Sequence, residues 1–242
     1  MTTTGGADGV LGILGGMGPL ASTGFLNTLY EVAAERTGPF AEQDLPRFLI
    51  DSDPGFPDRT EAILAGREEE FARRLRLRLD GLVGLGATRV VVTCVTAHHF
   101  LARLPAATRA RLVSLVDLAL DDLATAGGDE RLLLVATLGT RNARIFERAG
   151  RWPEVADRVV LPGPGRQREL HELIYRLKRE PATDALLSRL LRAVEEEGCT
   201  GFVVGCTEIH LLTRRLRARG GAVRAVDPLC TLAAQLKTLL AE

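Results

Sequence analysis

The chain has 242 residues, 46% of them hydrophobic, with 31 basic and 31 acidic side chains. That length and apolar content suit one large α/β unit or two half-sized ones with a proper core, and they exclude a largely disordered chain. A formal charge of zero removes any global electrostatic pull toward nucleic acid or an anionic membrane.

Short apolar runs alternate with longer amphipathic ones. Strands are predicted at 10–15 (VLGILG), 47–51 (RFLID), 89–94 (RVVVTC), 112–117 (LVSLVD), 131–136 (RLLLVA), 158–162 (RVVLP), 201–206 (GFVVGC) and 222–227 (AVRAVD). Between them, LASTGFLNTLYEVAAERTG and ATDALLSRLLRAVEEEG have helical spacing, and the second is stopped by a glycine. The run REEEFARRLRLR mixes both signs and reads as a solvated helix face. Alternation of this kind implies parallel sheets covered by helices.

The opening MTTTGGADG has no basic region followed by an apolar segment, so no secretory signal is expected. No apolar stretch approaches the roughly 18 residues needed to span a bilayer. Four cysteines without such a signal point to a reducing compartment. A soluble, cytoplasmic protein is expected, with neither nucleic acid nor membrane as partner.

The two halves repeat each other. Aligning Cys94 with Cys206 also aligns His98 with His210, and ILGGMG (13–18) then falls against LVATLG (134–139). The expected architecture is α/β, with two pseudo-symmetric parallel-sheet domains and an active-site cleft between them. One domain takes 9–117 plus 227–242 and the other 118–226, with LATAGGDE (123–130) as the most linker-like stretch. Ligands bind beyond the carboxyl ends of parallel strands, so both thiols are expected to point into one cleft.

The loop GGMGPLA places Gly16, Gly18 and Ala21 in a G-x-G-x-x-A pattern. A dinucleotide would also need an acidic residue about 20 positions on, and Asp51 comes 30 residues after Ala21. The simpler reading is a tight turn whose backbone N–H groups suit a carboxylate as readily as a phosphate. In the second half, ATLGT repeats the turn, and Thr137 and Thr140 would add hydroxyls. Cys94 and Cys206 each close a strand where a helix begins, a position that favours thiolate. Neither half has Cys-x-x-Cys, so no metal site is expected. His98 and His210 are expected to fix loops rather than act as bases, and Cys199 and Cys230 to serve as small apolar side chains.

Taken together, GGMGPLAS, PDRT, TCVTAH, ATLGT, IYRLK and GCTEIHLL, in this order, resemble the cofactor-independent aspartate/glutamate racemases, in particular the aspartate racemase branch. The resemblance implies stereoinversion at Cα of an aspartate- or glutamate-like carboxylate substrate, without pyridoxal phosphate or metal, in a homodimer. The family's catalytic cysteines correspond to Cys94 and Cys206, and its carboxylate-binding residues to Arg59 and Lys178. The substrate-binding set expected on this basis is Gly16, Met17, Arg59, Val95, Thr96, Thr137, Thr140, Lys178, Thr207 and Glu208. One position departs: the family motif reads Cys-Asn-Thr-Ala-His, and here Val95 occupies the Asn place. An apolar wall in the cleft would follow, with a substrate other than plain aspartate. The alternatives are an isomerase, decarboxylase or other carbon-acid enzyme on the same fold, or a degenerate binding protein.

Overall fold

The computed structural model describes residues 9–37, 43 and 45–241. The first half runs β1 (Leu11–Gly15), α1 (Pro19–Thr37), β2 (Phe48–Ser52), α2 (Arg59–Leu64), α3 (Glu68–Gly84), β3 (Arg89–Val92), a 3₁₀ segment (Val95–Arg103), α4 (Ala106–Arg109), β4 (Leu112–Val113) and α5 (Leu115–Ala126). The second half runs β5 (Leu132–Ala136), α6 (Leu138–Asn142), α7 (Trp152–Val155), β6 (Val159–Val160), α8 (Pro164–Leu177), α9 (Asp184–Glu196), β7 (Gly201–Gly205), a 3₁₀ turn (Thr207–Ile209), α10 (His210–Ala218), β8 (Arg224–Val226) and α11 (Pro228–Ala241). Strand order is β2-β1-β3-β4 in one sheet and β6-β5-β7-β8 in the other, and every pairing is parallel. All eight predicted strands are present as two four-stranded sheets with flanking helices.

Period-two alternation along the strands sorts side chains between layers. Leu132, Leu134 and Ala136 turn inward to a cluster that also takes Leu11, Ile13 and Val91 from the other sheet. That shared core holds Phe25 and Leu29 of α1, Leu115 and Leu120 of α5, and Leu229 and Leu232 of α11. Leu133 and Val135 face the opposite way, onto α8 and α9. Leu14, Val90 and Val92 meet Phe71, Leu75 and Leu79 of α3, whose arginines lie on its outer face. Each such side chain fully buried contributes about 1.5–3 kcal/mol, so the helices between the sheets bind the two halves into one core.

The predicted strand at 112–117 ends early. Ser114 accepts the Asp117 N–H through its side chain, and this N-cap turns Leu115–Asp117 into the first turn of α5. The glycine stop of the later helix appears at Gly198, which has φ +64°. Among the described residues no helix is long and apolar enough to cross a membrane.

In both sheets the strand order reverses at the centre, between β1 and β3 and between β5 and β7. Loops leaving two such neighbouring strands diverge to opposite faces and open a crevice at their carboxyl ends. The loops concerned begin at Gly16 and Thr93 in one sheet and at Thr137 and Cys206 in the other.

Candidate active site

Cys94 and Cys206 both have extended backbones and stand immediately before 3₁₀ segments. They are free thiols, each 3% exposed. A cross-lobe hydrogen bond joins the two cysteine segments, from the Thr207 hydroxyl to the Thr93 carbonyl at 3.0 Å. Both cysteine side chains are thus buried near the contact between the two lobes.

Each sulfur has a different neighbour. The Arg59 guanidinium, at the start of α2, donates to the Met17 carbonyl at 2.9 Å and to the Pro57 carbonyl at 3.2 Å. Burial alone would lower its pKa, but the Cys94 sulfur, Asp58 and Glu208 outweigh that and hold it raised. Cys206 instead donates to Glu208 Oε2 at 2.8 Å. Burial, and then the Glu208 charge, push the Cys206 thiol well above its ordinary range, while Lys178 pulls against them. The site is thus electrostatically asymmetric: a guanidinium beside one sulfur, a carboxylate accepting the proton of the other.

Glu208 is 1% exposed, and its second oxygen, Oε1, has no hydrogen-bond partner. Gly18 gives it room: a Cβ there would stand 2.7 Å from Oε1, so any larger residue would push the carboxylate back from the first loop. Gly16 is required for a different reason, having φ +88° and backbone packed so closely that a Cβ would lie 2.3 Å from Asp53.

A second cross-lobe tie sits at Asp58. Its Oδ1 caps α2 by accepting the Thr60 and Glu61 N–H groups, while Oδ2 accepts the Tyr175 hydroxyl at 2.8 Å and Lys178 Nζ at 3.4 Å. Burial opposes ionisation of Asp58, yet Lys178, Tyr175 and the Glu61 amide hold its pKa below the usual value. Lys178 Nζ lies 3.7 Å over the Tyr175 ring. Its own pKa is lowered by burial but raised further by the charges of Cys206 and Glu208, for a net rise. Asp58 was missed by sequence reasoning, although an Asp directly before a helix start is the ordinary N-cap signal.

Several expectations change here. The Gly16 N–H is taken by Ser22 Oγ at 3.2 Å and the Thr140 N–H by Thr137 Oγ1 at 3.1 Å, so neither amide is open to an anion. Local capping by a side chain a few residues away satisfies them first. Thr96, Thr137 and Thr140 form a triangle of hydroxyls at 2.9–3.1 Å, bonded to one another across the lobes. Asp51, the late candidate for a ribose contact, pairs with Arg78 at 2.5 Å. Val95, next to Cys94, is fully buried and packs in the apolar cluster between the sheets. Its counterpart in the repeat is Thr207, whose hydroxyl makes the cross-lobe bond to Thr93; valine cannot return it.

The two repeat histidines are used differently. His98 places Nδ1 3.0 Å from the Cys94 carbonyl and accepts the Leu115 N–H on Nε2 at 3.0 Å, which assigns the proton to Nδ1. Burial lowers its pKa, so it is a neutral strut beneath the Cys94 loop. His210 faces Thr28, Asp227 and Cys230 instead. Cys230, expected to be a plain apolar side chain, is therefore part of a polar cluster.

The sequence matches the family model described as Asp/Glu/Hydantoin racemase over residues 14–236. The chain belongs to that family. Similar solved structures include a Picrophilus torridus aspartate racemase at 20% identity and a TM-score of 0.76, covering 97% of this chain and all (100%) of that one. An aspartate racemase homologue from Pyrococcus horikoshii matches at 21% identity and a TM-score of 0.68, covering 96% and 99%. The glutamate racemase of Francisella tularensis, solved with D-glutamate, matches at 11% identity and a TM-score of 0.64, covering 97% and 81%. At these identities the likeness carries the racemase fold, while family membership rests on the sequence match.

Proposed function

We propose that the protein is a cofactor-independent racemase of an acidic amino acid, in which Cys94 and Cys206 transfer a proton at Cα from opposite faces. The observation that carries this reading is the two buried free thiols, one beside a guanidinium and the other donating to a carboxylate. In one direction Cys94 removes the α-proton and Cys206 delivers its own to the other face; the reverse direction exchanges the roles. Arg59 and Lys178 supply the cations for the two substrate carboxylates, Arg as a fork and Lys as a point charge. Glu208 Oε1 is the acceptor for the substrate ammonium. The enediolate-like carboxylate is stabilised by these cations and by the N–H groups that open the 3₁₀ segments after each cysteine. Preorganised donors of this kind are worth about 3–4 kcal/mol each.

The test is incubation of single enantiomers of aspartate, glutamate and related diacids in deuterated solvent. Inversion with deuterium at Cα is expected; a substrate bound without exchange at any enantiomer would leave a binding protein as the better reading.

Glu208→Gln keeps the shape but removes the charge that raises Cys206. In the direction where Cys206 acts as base, the rate rises with pH as its thiolate forms. Removing Glu208's charge lowers the Cys206 pKa, so this ascending limb should move to lower pH. A pH–rate profile unmoved by Gln would show that Glu208 does not set the thiol's proton affinity.

Val95→Asn places an amide in the apolar core. An unpaired buried polar group costs about 1–3 kcal/mol, which in a chain of this size lowers Tm by about 2–4 °C per kcal/mol. Lower stability with no gain in aspartate turnover is expected. Faster turnover of aspartate by this variant would instead place the side chain at the substrate.

A further inference from the structure

Outside the cysteine pair, the described residues hold one group of metal-ligand type: His210 Nδ1, Asp227 Oδ2 and Cys230 Sγ, all within 4.8 Å of one another. They come from the starts of α10 and α11 and the end of β8, a seam that sequence spacing does not flag. We propose that these three side chains form a divalent transition-metal site of the zinc class, separate from the catalytic thiols.

The orientation of His210 is the first argument. Its Nε2 lies 3.0 Å from Thr28 Oγ1, and the Thr28 hydroxyl donates to the Gly24 carbonyl at 3.2 Å. With its single proton spent there, Thr28 accepts from His210, so Nε2 carries a hydrogen and Nδ1 is the atom presented to the cluster. An imidazole with one nitrogen tied to a polar side chain and the other turned to a carboxylate and a thiol is the usual arrangement of a metal-bound histidine. Asp227 is similarly fixed, because its other oxygen accepts the Leu229 N–H at 3.0 Å.

Distance and charge bear on the site as well. Nδ1 stands 2.7 Å from Oδ2 and 3.9 Å from Sγ. Zinc–ligand bonds of about 2.0–2.3 Å in a tetrahedron put ligand atoms roughly 3.3–3.8 Å apart, so the sulfur is close to its place and the hydrogen-bonded Nδ1 and Oδ2 must part by roughly half an ångström when the ion enters. At 2.7 Å a proton must lie between Nδ1 and Oδ2, since two bare acceptors would repel. Metal entry would expel that proton and the Cys230 thiol proton, so one divalent ion replaces two protons with no change in net charge. Arg217 Nη1 donates to Cys230 Sγ at 3.3 Å; a bound ion leaves the cluster neutral, and the guanidinium then becomes a hydrogen-bond donor to the coordinated thiolate. His210 and Asp227 are fully buried, whereas Cys230 is half-buried, so the cluster comes nearest the surface at its sulfur. The repeat supplies a contrast: His98, the counterpart of His210, bonds only a carbonyl and an amide.

The test uses the full-length reduced protein stripped with chelator, then titrated with Co²⁺ and Zn²⁺. One cobalt per chain is expected, with the thiolate-to-cobalt charge-transfer absorption, displaced by zinc, and calorimetry in two buffers should report release of about two protons per ion. The absorption should survive in the Cys94→Ser/Cys206→Ser double variant and vanish in Cys230→Ser. Thr28→Val, which removes only the partner of Nε2, should weaken binding by about ten- to a hundredfold. Absence of the band in the unaltered protein, its persistence in Cys230→Ser, or its loss in the double variant would each overturn the proposal.

Discussion

Serine at either Cys94 or Cys206 is expected to reduce racemisation by at least about 10²–10⁴-fold, the usual contribution of a positioned acid or base. The hydroxyl is nearly isosteric, so Thr207 can still bridge to Thr93 and Glu208 can still accept from position 206; circular dichroism and Tm should barely change. What is lost is a thiol, a far stronger acid than the hydroxyl that replaces it. In the proposed mechanism the two bases serve opposite faces of Cα, so the single variants should differ in a diagnostic way. Each retains one thiol, which can remove and return the proton of one enantiomer only. Solvent deuterium should therefore enter one enantiomer with Cys94→Ser and the other with Cys206→Ser, with no inversion by either. Full racemisation by both single variants would be fatal to the two-base mechanism.

The second large effect concerns Arg59. Arg59 is 9% exposed, and its guanidinium spans the Met17 and Pro57 carbonyls and the Cys94 sulfur. Arg59→Ala should act on two quantities at once. Leaving the Met17 carbonyl unpaired costs about 1–3 kcal/mol of stability. Losing two charge-assisted hydrogen bonds to a substrate carboxylate, at about 1.5–3 kcal/mol each, lowers kcat/KM by about 10²–10⁴-fold. Arg59→Lys separates them: it keeps the charge but not the fork, so it should recover part of kcat/KM and little of the carbonyl bonding. An alanine variant that melts earlier yet turns over substrate with unchanged kcat/KM would make Arg59 a structural residue of the loop.

Much of this molecule was legible in one dimension because its signals are local. Strand after strand announces itself by a β-branched or leucine run of the right length, and a repeat of Cys-x-x-x-His at matched positions places the two thiols at equivalent strand ends. A thiol following a buried strand and preceding a helix start has little choice of location, since parallel strands leave their carboxyl ends open. Ser114 shows where local reading fails even locally: the apolar run continues through Leu115 and Val116, and only the cap reveals that it has become a helix.

What each side chain does at the site was decided by contacts between residues far apart in the chain. Whether the Gly16 and Thr140 amides were free depended on Ser22 and Thr137 reaching them first. Val95 follows Cys94 in its motif, and its packing against both sheets is visible only in three dimensions. Asp58, Tyr175 and Lys178 meet across 117 and 120 residues of sequence separation, and His210, Asp227 and Cys230 converge only because α10, β8 and α11 start at one seam. Hydrophobic periodicity is a property of neighbours along the chain, so the sequence alone determined the sheets, the repeat and the placing of the two thiols. Hydrogen bonds and charges act through space over a few ångströms, so which sulfur meets a cation, and which a carboxylate, was settled only when the two lobes packed together.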